Sequence, residues 1–199
     1  SMVGAAGMVV ALSAGEFGLP IWLSVLLAFA FALAVGFIHG VLVVRTGLPS
    51  FIVTLGSLFI LRGVTIAITR LLTKRTQVGG LDELTEGDLF AALFTTEIRL
   101  GDADFRVSVL WWLGLTAVAT YVLLRTSYGN WIYGTGGSAV SARQIGVPVA
   151  RVKISLFMAT AASAALLAVI QVLTVGGADV LRGQNKELEA IITAVIGGT

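Results

Sequence analysis

Between residues 128 and 153 the chain reads YGNWIYGTGGSAVSARQIGVPVARVK, a polar, Gly-rich stretch. Its only charged groups are Arg143, Arg151 and Lys153, with Arg125 just upstream and no acid among them. The chemistry these residues offer is recognition rather than catalysis. Ser138 follows Gly136 and Gly137 and suits a helix N-cap, its hydroxyl accepting a backbone N–H. Residues 139–145 can then be helical, Gly146 suits the left-handed position just past the helix end, and Pro148 stops continuation. So short a helix is unstable alone and must be held by packing. Ala139, Ser141 and Ala142 are small enough to admit another protein surface, and Arg143 and Gln144 offer it polar contacts. Two readings fit: a docking helix for a soluble partner, or an interfacial helix that merely connects its neighbours.

Other polar residues sit inside apolar runs. Residues 51–63, FIVTLGSLFILRG, carry Thr54, Gly56 and Ser57, and small or hydroxylated residues let membrane helices approach and bond across their interface. Arg62 lies about 16 Å along from Phe51 at about 1.5 Å per residue, past the middle of a bilayer. It must face a partner or water, snorkel outward, or cap carbonyls where a helix breaks at Gly63; an ionisable residue there is a candidate functional site. Arg70 reads as an interface anchor. His39, between Gly36 and Gly40, has no carboxylate near it in sequence, so a packed, hydrogen-bonded imidazole is expected rather than a proton relay. Glu187 and Glu189 precede a short apolar run; Glu189 suits the first turn of a helix, and Glu187 can tie two segments together at the membrane surface. One His in total, no phosphate loop, no metalloprotease helix and no nucleophile elbow leave no catalytic constellation, no cofactor site and no metal site to assign.

The elements that must position these residues are membrane helices. Hydrophobic residues make up 57% of the 199 and charged residues 12%, against about 45–50% and 25% in soluble domains; mean hydropathy is +0.97. Four stretches near 20–44, 51–72, 107–124 and 152–175 reach the roughly 18 apolar residues a span requires. Two shorter ones, near 2–12 and 188–196, read as half-helices or as spans cut off by truncation, so a fragment is expected. No basic leader precedes residue 12. A formal net charge of +2 gives no case for nucleic acid, and zero Cys leaves no disulfide and no thiolate metal site.

Charge sets a topology. In residues 73–106 the seven acids, Asp82, Glu83, Glu86, Asp88, Glu97, Asp102 and Asp104, outnumber the four bases, Lys74, Arg75, Arg99 and Arg106. This segment is expected outside, while the acid-free loop 125–151 and the turn holding Arg45, Gly47 and Pro49 are expected in the cytoplasm, since short Lys/Arg-rich loops stay there. Trp22, Trp111 and Trp112 then fall at outer ends, and Tyr128, Trp131 and Tyr133 near the inner boundary, where amphipathic rings prefer to sit.

Three motifs, GLPSFIVTLGSLFILRG at 47–63, GGSAVSARQIGVPVARVK at 136–153 and ELEAIITAVIGGT at 187–199, together resemble the permease subunits of bacterial ABC sugar importers of the ribose/xylose type, relatives of the branched-chain amino-acid permeases. The resemblance covers nearly the whole chain. It implies an all-α polytopic membrane helix bundle in the cell inner membrane, a second permease subunit in a homodimer, cytoplasmic ABC ATPase subunits and a periplasmic sugar-binding protein. ATP hydrolysis would belong to a partner chain. It also implies an ATPase-coupling role for Ser138, Ala139, Ser141, Ala142, Arg143 and Gly146. Ser138 and Ser141 depart from the usual Asn and Ala without harm to the helix, whereas His39, where Asn is usual, puts any shared role there in doubt. A neutral sugar needs hydrogen-bonding groups along its path, for which Thr54, Ser57, Thr65 and Thr69 are candidates, with Arg62 on the path or in helix packing. The rival is a secondary transporter or channel without an ATPase, which predicts intramembrane carboxylates; the four spans contain none.

Overall fold

The computed structural model describes residues 2–85, 87–100 and 103–197. Ser1, Glu86, Gly101, Asp102, Gly198 and Thr199, and the side chains of residues 98–100, 103–105 and 194, Arg99 and Asp104 among them, lie outside the described residues. Ten α-helices and four short strands are described: α1 (Met2–Ala11), α2 (Ile21–Thr46), α3 (Ser50–Thr73), β1 (Gln77–Gly79), α4 (Asp82–Thr85), α5 (Leu89–Thr95), β2 (Glu97–Leu100), β3 (Ala103–Arg106), α6 (Ser108–Arg125), α7 (Ser127–Gly137), α8 (Ala139–Gln144), α9 (Val149–Val175), β4 (Gly177–Asp179) and α10 (Lys186–Ile196). Four of them, α2, α3, α6 and α9, are long and apolar enough to cross a membrane.

The helix ends follow local chemistry. Pro20, Pro49 and Pro148 stand just before α2, α3 and α9, where a fixed φ and a missing N–H do no harm. Gly47 and Gly176 close α2 and α9 in the left-handed conformation, each donating its N–H to a carbonyl of the last turn. α9 begins three residues earlier than the expected 152, because Val149 and Val152 pack inward and carry the helix back to Pro148.

α1, α2 and α9 form the core. α2 and α9 run antiparallel and meet at Gly36 and Gly40: a Cβ on Gly36 would lie 2.8 Å from the Phe157 carbonyl oxygen, and one on Gly40 2.7 Å from the Ile154 Cα. Only glycine permits that approach, and close backbone packing is what holds helices together where lipid removes the usual hydrophobic drive. α1 fills the remaining groove, with Ala6, Val10 and Ala11 wholly buried and Met8 1% exposed. The short apolar stretch near 2–12 is thus the most enclosed helix among the described residues, because GAAG at 4–7 presents almost no side-chain bulk. A π-helical turn at Leu12–Glu16 then widens the path, and the Ser13 hydroxyl donates to the Val9 and Val10 carbonyls.

Residues 73–106 form a compact cap rather than an open polar loop. β1 pairs antiparallel with β4, Val78 opposite Ala178, tying the end of α3 to the end of α9. Gln77 Nε2 donates to Asp179 Oδ2 at 2.7 Å across this pair. α5 lays Phe94 flat against Trp111 of α6, ring centroids 5.4 Å apart, and Trp111 Nε1 donates to the Leu93 carbonyl at 2.9 Å. β2 and β3 form a hairpin above α6, its base closed by an exposed Glu97–Arg106 ion pair.

Candidate functional site

Two places gather the residues singled out by chemistry: the connector between α6 and α9, and a half-open cavity on the bundle, with Phe51, Thr160 and Ile191 exposed along it. In the connector the structure has one helix more than the sequence led us to expect. α7 turns off α6 at Thr126, whose hydroxyl accepts from the Gly129 N–H at 3.2 Å. The Tyr128 hydroxyl hydrogen-bonds Ser155 of α9, pinning α7 against that helix. α8 follows with the cap expected of it: Ser138 Oγ accepts from the Ser141 N–H at 3.2 Å and lies 2.9 Å from the Ser141 hydroxyl. Its other end closes with the Val147 N–H on the Ala142 carbonyl at 3.0 Å and Gly146 at φ +87°.

The face α8 presents differs from the expected one. Ala142 is 2% exposed, its methyl 4.0 Å from where a Cβ on Gly134 of α7 would stand. Its smallness serves packing within the chain, so its reading as a surface for close approach is corrected. Ala139 is half-buried, while Ser141, Arg143 and Gly146 are exposed. The groups missed from sequence are Val140, 68% exposed, and Ile145, 80% exposed, which stand out beside Arg143. Attention to small residues hid them; their period, five residues on a six-residue helix and its end, was too short to register as a face. Arg125 and Arg143 occupy last helical turns, where a cation meets the negative end of the helix dipole. Arg151 sits in the first turn of α9, where the dipole gives it no such support, and none of these cations has a carboxylate partner among the described residues.

The cavity, about 430 Å³, lies between α2, α3, α9 and α10. Its polar lining is His39, Thr54, Ser57, Thr160 and Glu187; Phe51, Leu55, Leu58, Leu61, Phe157 and Ile191 supply apolar walls. Of the candidate path residues it brings together Thr54 and Ser57. Thr65, Thr69 and Arg62 are not among its walls: Thr65 Oγ1 donates to the Leu61 carbonyl at 2.6 Å, and the Thr69 hydroxyl is fully buried without a partner among the described residues. α3 runs unbroken through Gly63, so Arg62, half-buried, caps no helix end there.

One further expectation is corrected here. His39 makes no hydrogen bond among the described residues and instead borders the cavity. Glu187 stands at the start of α10, on the same cavity and beside Met2, which packs on the small-residue cluster of Val3, Ala32, Ala161 and Ala165. The chain reaches that level because residues 177–185 descend along α1, with the Val180 and Arg182 carbonyl oxygens 2.7 and 2.8 Å from where a Cβ on Gly4 would be. Arg182 Nη1 anchors the descent on the Gln171 carbonyl at 3.0 Å. A carboxylate and an imidazole 148 positions apart in sequence thus share one cavity, a juxtaposition no local pattern could reveal.

Comparison with known proteins agrees with this architecture. The chain is 31% identical over 183 residues to the fructose import permease protein of Rhizobium meliloti, covering 92% of this chain and 49% of that one. It is 32% identical over 173 residues to the ribose import permease protein of Escherichia coli K12, covering 86% and 51%. The autoinducer 2 import system permease protein of Yersinia enterocolitica is 32% identical over 190 residues, covering 94% and 48%. The chain thus spans about half the length of the curated relatives it matches. No solved structure matches it. Matched along residues 1–199, this multi-pass helical membrane protein belongs to the family described as the branched-chain amino acid transport system / permease component.

Proposed function

We propose that the protein is a permease subunit of an ABC importer in the bacterial inner membrane and forms part of the translocation path for a pentose or related monosaccharide. The relatives' names, import permeases for fructose, ribose and autoinducer 2, support a sugar-like cargo. In this reading a periplasmic sugar-binding protein delivers the cargo, two permease copies line the path, and ATP is hydrolysed on separate cytoplasmic subunits. The connector 125–151 faces the cytoplasm and the cap 73–106 faces outward.

The observation that carries the reading is α8. A six-residue helix capped at both ends stands between two membrane-length helices and turns Val140, Arg143 and Ile145 outward. Apolar groups that large, exposed beside an unpaired cation, suit a groove on a soluble partner better than water. α8 packs on α7, and the Tyr128–Ser155 bond joins α7 to α9. A push on α8 is therefore passed to α9 and, through the close contacts at Gly36 and Gly40, to α2. Opening and closing of the path follows from that rigid coupling, since packed helices move as units.

Val140→Glu with Ile145→Glu tests this. Both side chains are exposed, so membrane insertion and folding are expected to survive, while co-purification of the ATPase and ATP-dependent sugar uptake are lost. Retention of the ATPase at the unaltered level would discard the docking reading. Ala142→Glu is a poorer probe, because it disrupts the α7–α8 contact itself.

One observation favours the rival. A secondary transporter needs an intramembrane acid, and Glu187 lines the cavity with His39. Uptake driven by an ion gradient in liposomes containing this permease alone, without ATP, would establish that reading in place of the first.

A further inference from the structure

The cavity between α2, α3, α9 and α10 lies at membrane depth. At about 1.5 Å per residue, His39 is about 10 Å from the end of α2, and Thr54 and Thr160 are about 6 and 16 Å from the starts of α3 and α9, within a hydrocarbon layer of roughly 30 Å. Irregular backbone at such depth is tolerated only where protein buries it or water reaches it, and residues 177–185 descend to the cavity's edge before α10 begins. Short helices that start inside the membrane are where transport proteins of other designs hold their cargo.

We propose that this cavity is a binding station for a neutral polyol the size of one sugar ring, held within a single permease chain. The proposal rests on the importer reading and names the residues that would touch its cargo. The volume, about 430 Å³, falls within the roughly 300–1,000 Å³ of small-molecule sites. Phe51 and Phe157 give apolar walls for the C–H face of a sugar ring. The Thr54 and Thr160 hydroxyls already donate their protons to the Ser50 and Leu156 carbonyls, at 3.0 and 2.8 Å. Each oxygen is left as an acceptor toward the cavity, matching the O–H groups that a polyol has in excess. His39, without a bond to the rest of the described chain, has both ring nitrogens to offer, one donor and one acceptor when neutral. Among the described residues no Lys or Arg lines the cavity, and its one carboxylate, Glu187, would repel a phosphate or carboxylate, whereas a neutral cargo needs no counter-charge and can donate its O–H groups to that carboxylate. His39 and Thr160 become specificity-determining residues.

None of these 199 residues is a cysteine, so labelling is read as the rate gained over the otherwise unaltered transporter. Thr160→Cys and, separately, Thr54→Cys are made in the intact transporter in its own cells, and a small water-soluble thiol reagent is applied with and without saturating D-ribose or D-fructose. Both positions are expected to label, and at least one sugar to slow labelling by about threefold or more, as occupancy competes with the reagent by the factor 1 + [L]/Kd. Equal glycine betaine should leave the rate unchanged, as should either sugar at Val118→Cys on the outer face of α6. Either position showing this pattern supports the proposal, so failure of one variant to fold does not stop the test. Sugar uptake that persists while neither position is protected, or while betaine protects equally, overturns the station and leaves the importer reading standing. Absence of ATP-dependent uptake of any sugar by the unaltered protein removes the importer reading and this proposal together.

Discussion

Two hydrogen atoms, at Gly36 and Gly40, decide how near α2 can come to α9. With 2.8 and 2.7 Å to backbone atoms of α9 from the position a Cβ would take, any larger residue must push the helices apart. Gly40→Val is expected to destabilise the bundle by about 1–3 kcal/mol, the usual range for overpacking, read as a lower thermal midpoint of the purified protein. Gly63→Ala is the matched control. A Cβ there meets nothing within 4 Å, and alanine in a helix interior is favoured over glycine by up to about 1 kcal/mol, so the midpoint should hold or rise. Equal losses at both positions would contradict the packing described. At this scale the sequence was partly legible. Gly36 and Gly40 could be seen to flank His39, but Gly56 and Gly63 looked equally fit for close approach or for a break. Nothing in residue type separates a glycine facing a neighbouring helix from one on an open side; only the pairing of α2 with α9 does.

The long helices could be read to within one to three residues, because proline stands before three of them and glycine after two, and each of these acts through its own backbone. α8 was legible for the same reason, its serine cap and glycine stop being local. α7 was not. SYGNWIYGTGG has four glycines, the composition of a loop, and its helix is sustained by packing on α9 rather than by propensity. The cap over residues 73–106 was hidden likewise, since charge marked its polarity but not the pairing of β1 with β4 across 100 residues. Trp111 is the hinge of that cap on α6. Trp111→Ala removes the stacking on Phe94 and the bond to Leu93, and should speed proteolysis within residues 87–100 several-fold, in line with a loss of about 2 kcal/mol or less of local stability. Trp111→Phe keeps the ring contact and should fall between. A cap no more sensitive in Trp111→Ala than in the unaltered protein would show that other contacts hold it.

Over the whole molecule, burial is uneven in a way that fits a subunit of something larger. α2 and α9 bury a third or more of their most apolar windows, whereas those of α3 and α6 bury none. Those faces are open to lipid, to a second copy or to further helices of the kind that the longer relatives possess. Against this apolar body the connector between α6 and α9 stands out as a polar stretch that carries bases without acids and in which a capped helix exposes Val140 and Ile145. The function proposed depends on that connector lying on the ATP side of the membrane. The most direct measurement is labelling of Ile145→Cys, in the transporter otherwise unchanged, by a membrane-impermeant maleimide. The account predicts reaction in inside-out vesicles and none in intact cells; reaction in intact cells, with none in inside-out vesicles, would contradict it.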